Sequence, residues 1–153
     1  MARITAVDAT NRLFLVEDLL PAAQVRDICS IDWLSLSWER NVPGWPRRKI
    51  LQSNPEIQRI DSYINDQLPE IARAVGRPFR TSDGAWWVDE PGFTVGLHTD
   101  GSLPYSMQLY WIAASDNYGT GFYHYKNGTS VQYQFQSKPN TGYIMLNDPD
   151  STG

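Results

Sequence analysis

The feature that most constrains this chain is a change of hydrophobic period near residue 83. From Pro55 onward, Ile57, Ile60, Ile64, Leu68, Ile71 and Val75 recur at spacings of three, four, four, three and four, which sets them on one face of a helix. Pro69 falls inside the pattern and removes a backbone donor, predicting a kink or two abutting helices, and Gly76 suits the left-handed residue that closes a helix. Beyond residue 83 the helical period stops. β-branched and aromatic runs alternate with turn signals, predicting strands at 84–89, 93–98, 105–113, 120–126, 130–136 and 142–147. Asn127-Gly128 joins the last two but one as a hairpin, because both residues accept positive φ. That turn reading is preferred over a glycosylation sequon at the same place.

Ahead of the long helix, residues 12–17 (RLFLVE) predict a strand and 19–34 a helix with Pro21 in its first turn. The stretch VPGWPRRKIL, with two prolines and a glycine, predicts a loop. Helices first and antiparallel strands afterwards give a mostly β, α+β protein in which helices cover one face of a sandwich or jelly roll. The expectation is a single domain over 1–153, with 1–80 as helical support and 81–153 as jelly-roll strands.

Composition narrows the partners. The chain has 153 residues, 41% of them hydrophobic, and a net charge of -4, so it lacks the basic field that drives nucleic-acid binding. No apolar run approaches the roughly 18 residues of a membrane span, and no signal layout opens the sequence. A small-molecule or peptide substrate is expected, with neither nucleic acid nor membrane as partner. Cys29 is the single cysteine; its apolar, helix-like surroundings predict a buried, inert thiol in the reducing cytoplasm.

Two histidines are present, and one of them stands in GFTVGLHTDG. On an extended strand, residues i and i+2 project to the same face, so His98 and Asp100 can converge on one ion. An imidazole and a carboxylate are two thirds of the facial triad of non-haem Fe(II) oxygenases. The same pair is equally at home as solvent-facing residues at a strand end, and the residues alone leave both readings open. Alternation along 105–112 puts Ser106, Gln108, Tyr110 and Ile112 on one face and Met107, Leu109 and Trp111 on the other. The apolar face is predicted to pack on the helices, leaving Gln108 and Tyr110 pointing inward, either to bind a co-substrate or simply as satisfied interior polar groups.

WWVDEPGFTVGLHTDG, MQLYWI, GTGFYHYKNG and KPNTGYIMLNDPD together resemble the core of the Fe(II)- and 2-oxoglutarate-dependent dioxygenases, in the branch similar to prolyl hydroxylases. The resemblance covers most of the chain and implies a double-stranded β-helix in which His98 and Asp100 bind Fe(II) and 2-oxoglutarate is the co-substrate of a hydroxylation. Gln108 and Tyr110 then stand as co-substrate-binding residues. The family pattern also requires a distal histidine and a basic residue for the far carboxylate, on strands after the P-x-x-G strand, whereas the chain stops at Gly153. The expectation is therefore a jelly roll incomplete at its C-terminus, a fragment short of the ligands that activity needs. His124, in GFYHYK, comes too early to serve as the distal ligand and reads as a strand residue.

Two rivals follow from the same residues. One is a jelly-roll binding module without metal, presenting aromatics such as Trp86-Trp87 to a saccharide or a protein, although an aromatic core is the commoner use of tryptophan. The other is a fragment that needs a partner strand to close its sheet. Arg47-Arg48-Lys49 could hold an anionic substrate, but three charges are few and a solvated loop is the simpler expectation.

Overall fold

A computed structural model describes residues 2–8, 10–36, 38–39, 43–44, 46–50, 54–78, 85–90, 105–111, 119–123 and 131–146. They form nine strands and two α-helices: β1 (Arg3–Ala6), β2 (Leu13–Glu17), α1 (Ala22–Ser30), β3 (Trp38–Glu39), β4 (Arg47–Ile50), α2 (Pro55–Val75), β5 (Trp87–Asp89), β6 (Tyr105–Tyr110), β7 (Gly119–Tyr123), β8 (Val131–Gln136) and β9 (Thr141–Leu146). A short 3-10 turn, Trp33–Ser35, follows α1.

The long helix is a single element. Asn54 caps it by accepting from Glu56 N at 2.8 Å, Pro55 occupies the first turn where no amide donor is needed, and Gly76 ends it at φ 73°. Pro69 is accommodated inside α2 rather than dividing it in two. The inward face is the one the periodicity marks: Ile57, Ile60, Leu68, Ile71 and Val75 are all buried.

Antiparallel pairing produces three sheets, ordered β1-β2-β9-β6, β3-β4-β5 and β7-β8, and among the described residues they do not close on one another. The architecture is mixed helix and antiparallel sheet. Register in the largest sheet sets its two faces. Phe14 lies opposite Ile144 and Met107 opposite the same Ile144, while Leu13 lies opposite Met145 and Gln108 opposite Tyr143. Even positions of β2 and β9 and odd positions of β6 therefore face the helices, where Phe14, Val16, Ile144 and Leu146 join Ile28, Ile60, Leu68, Ile71 and Val75, with Met107 and Leu109 packed against them. Each fully buried aliphatic side chain in such a layer contributes roughly 1.5–3 kcal/mol. Helices cover one face, as the sequence predicts. The opposite face gathers Leu13, Phe135 and Tyr143, with Leu15, Tyr110, Phe122, Tyr133 and Met145 around them.

Several expectations need correction. VPGWPRRKIL is not a loop throughout, because Arg47–Ile50 pairs with β5 on one side and β3 on the other. The N-terminal part is not only helical support: β1 and β2 belong to the sheet completed by β9 and β6. The first helix is shorter than 19–34, ending at Ser30 before the separate turn at Trp33. Cys29 is exposed, not buried; Ile28 takes the inward position at 0% exposure, and the next residue along a helix is rotated by about 100° away from it. The predicted strand at 93–98 and the Asn127-Gly128 turn lie outside the described residues, although β7 and β8 do pair antiparallel. No helix among the described residues is long and apolar enough to cross a membrane.

Candidate functional site

The face of β6 and β9 turned away from the helices carries the polar groups with chemical potential. Alternation on β6 delivers Gln108 and Tyr110 to it, and register brings Tyr143 of β9 opposite Gln108. The Tyr143 hydroxyl donates to Gln108 Oε1 at 2.9 Å. One step along the strand, the Tyr110 hydroxyl and Thr120 Oγ1 share a hydrogen bond at 2.6 Å that ties β6 to the β7-β8 hairpin. These four groups sit in an aromatic surround. Phe122 meets Tyr143 edge-on at 4.9 Å and Phe135 lies against the same ring at 5.1 Å.

The close approach of β6 and β9 depends on Gly142. A Cβ at that position would lie 2.0 Å from Gln108 O, well inside van der Waals contact, so only glycine lets the two strands pair here. Burial raises the Tyr110 hydroxyl above its ordinary value; the Thr120 hydrogen bond works against that shift, and the negative charge of Asp89 adds to it. Asp89 itself, at the end of β5, is gripped by Arg47, with Nε at 2.5 Å and Nη2 at 3.0 Å from its two oxygens. The neutral phenol is the form this face holds at physiological pH.

His98 and Asp100, the metal ligands implied by the resemblance, lie outside the described residues, between β5 and β6 in the sequence, and His124 lies outside them as well. Among the described residues no group of three or more histidine, cysteine, aspartate and glutamate side chains could hold a metal ion. As a donor set, imidazole plus carboxylate suits ferrous iron and leaves positions for other ligands.

The tandem tryptophans divide between two environments. Trp86 turns inward, stacked between Trp33 at 5.4 Å and Trp111 at 6.1 Å, and its indole N–H donates to Asp61 Oδ1 at 2.7 Å. Burial raises the Asp61 carboxyl above the usual range, and the indole hydrogen bond offsets part of that. Trp87 is 36% exposed, the only exposed large hydrophobic residue among those described, with the Arg47 guanidinium 4.7 Å above its ring. A saccharide platform built from both tryptophans is thus reduced to one. A surface groove of about 350 Å³ between α1 and α2 is lined by Asp27, Asp32, Glu56 and Arg59 among others. Arg59 is already held by Asp27 at 3.0 Å and Glu56 at 2.7 Å, so the one cation among the groove's described residues is engaged and its carboxylates outnumber it.

Thr120, Tyr143 and Asp61 escape sequence reasoning. Tyr143 carries only the alternation of a β-strand, and nothing local in the sequence says which β6 residue it opposes. No family model, curated protein or solved structure matches the chain.

Proposed function

We propose that this chain is a hydroxylase-type, Fe(II)- and 2-oxoglutarate-dependent dioxygenase domain of the double-stranded β-helix kind, acting on a small molecule or a peptide in the cytoplasm. The observation that supports it most is the split of β6: apolar side chains packed on helices, and Gln108 and Tyr110 directed into an aromatic layer with polar partners. An apolar surround with a few placed polar groups is the kind of lining a co-substrate pocket requires. His98 and Asp100 would hold the iron, and the bound ion would supply activation of oxygen together with chelation of the oxo-acid. Gln108 and Tyr110 would orient the co-substrate beside it, and the surrounding Phe122 and Phe135 would exclude water.

Anaerobic addition of Fe(II) and 2-oxoglutarate tests this directly. A weak visible charge-transfer band is expected, lost in His98→Ala. A protein that gives no band at millimolar iron would rule the reading out. The exposure of Trp87 favours a second reading, a non-catalytic module that binds a saccharide or protein through surface aromatics. Saturable saccharide binding lost in Trp87→Ala, with no band, would select it.

A further inference from the structure

Trp33, Trp86 and Trp111 lie half-buried against the helix-side core, with successive ring planes within 15° and 18° of parallel. The aromatic group on the other face of the sheet is arranged differently, since Phe122 meets Phe135 and Tyr143 edge-on at 85° and 81°. Near-parallel indoles with centroids 5.4 and 6.1 Å apart bring their π-faces together, so an electron vacancy formed on one ring can pass to the next. An oxidised indole is a cation, and a cation in an apolar layer is costly unless its charge is removed. The middle ring has the means. Its N–H donates to Asp61 Oδ1 at 2.7 Å, and an ionised carboxylate is a partner able to take that proton. Trp33 directs its N–H to the Ile28 carbonyl at 3.1 Å, which is no base. Burial already pushes Asp61 toward its protonated form, so loss of the electron with transfer of the proton discharges the ring and the half-buried carboxylate together.

We infer that Trp33, Trp86 and Trp111 form a one-electron relay in which Trp86 is the oxidisable station and Asp61 its proton acceptor. A one-electron oxidant of the peroxyl-radical or metal-complex class takes an electron from the stack. The indole N–H bond of Trp86 breaks, its proton forms an O–H bond on Asp61, and a neutral tryptophyl radical remains. A thiol or ascorbate-type reductant in solution returns the electron as Asp61 returns the proton. The inference stands apart from the dioxygenase reading, since it needs neither iron nor 2-oxoglutarate.

Cys29, exposed and with its Sγ 3.8 Å from Trp111 O, is the place to inject the vacancy. A ruthenium polypyridyl complex attached there, and oxidised to Ru(III) by a light flash and an electron-accepting quencher in mildly alkaline buffer, should be re-reduced as a neutral tryptophyl radical appears. Transient absorption and electron paramagnetic resonance follow the two species. Asp61→Asn still accepts the indole hydrogen bond but cannot take the proton, so the neutral-radical signal should be lost and a cation radical should replace it. Trp86→Phe keeps in the stack a ring that resists oxidation, and should confine the vacancy to Trp111, from which it returns to the metal without a lasting radical. Melting curves establish that the variants are folded, and either one alone decides if the other is not. Absence of a tryptophyl radical in labelled wild type, despite formation of Ru(III), overturns the inference. So does a neutral radical of unchanged yield in folded Asp61→Asn or folded Trp86→Phe.

Discussion

At the scale of single residues, Asn140 shows how much one side chain can fix. It sits in the left-handed region at φ 61°, where asparagine is among the few side chains tolerated. Its amide clamps the peptide groups at Leu20 from both ends, accepting from the Leu20 N–H at 2.9 Å and donating to the Leu20 carbonyl at 3.0 Å, while its own N–H donates to Tyr110 O at 2.9 Å. Three parts of the chain, the turn before β9, the entry to α1 and the end of β6, meet on this residue. Asn140→Ala is expected to lower unfolding free energy by about 2–4 kcal/mol, from two lost hydrogen bonds plus a strained backbone. Asn140→Gly relieves the φ but not the clamp and should fall between, measured by urea denaturation. Equal stability of all three would mean that the clamp does not persist in solution. Asp8 plays a comparable local part in the turn between β1 and β2, accepting from Arg12 N at 3.0 Å and Leu13 N at 2.9 Å and from the Thr10 hydroxyl.

At the scale of elements, legibility follows locality. α2 could be read from the chain because its period and its Gly76 end are encoded within neighbouring residues, and the Asn54 cap that the structure adds is equally local. β4 could not. Arg47–Ile50 is short and charged and follows two prolines, so its strand identity comes from β3 and β5, residues distant in sequence. β1, four residues and mostly exposed, depends likewise on β2. Within α2, Pro69 leaves the carbonyl one turn earlier, at Asn65, without its helical donor. Pro69→Ala should therefore stabilise the protein by about 1–3 kcal/mol, bounded by the propensity difference, and raise the thermal midpoint. A lower midpoint would show that the proline ring itself contributes packing. The candidate site divides the same way: the inward face of Gln108 and Tyr110 was legible from two-residue alternation, but their partners Tyr143 and Thr120 depend on register between strands, which no local pattern carries.

At the scale of the whole molecule, the Trp33–Trp86–Trp111 stack and Asp61 give stability a pH signature. Burial raises the Asp61 carboxyl in the folded state, so the fold holds this proton more tightly than the unfolded chain does. Its contribution is complete below the unfolded value of about 4 and is lost as pH rises through the higher folded value. Wild type should accordingly lose stability relative to Asp61→Asn, which cannot ionise, as pH climbs from about 4 toward neutrality. Parallel melting curves for the two proteins across that range would show that the carboxyl stays hydrated. The order β1-β2-β9-β6 has a consequence for biosynthesis. Strand β2 docks on β9, whose residues leave the ribosome some 130 positions later. Until then the edge of β2 that pairs with β9 has no strand partner, which makes the nascent chain a natural client for holding chaperones.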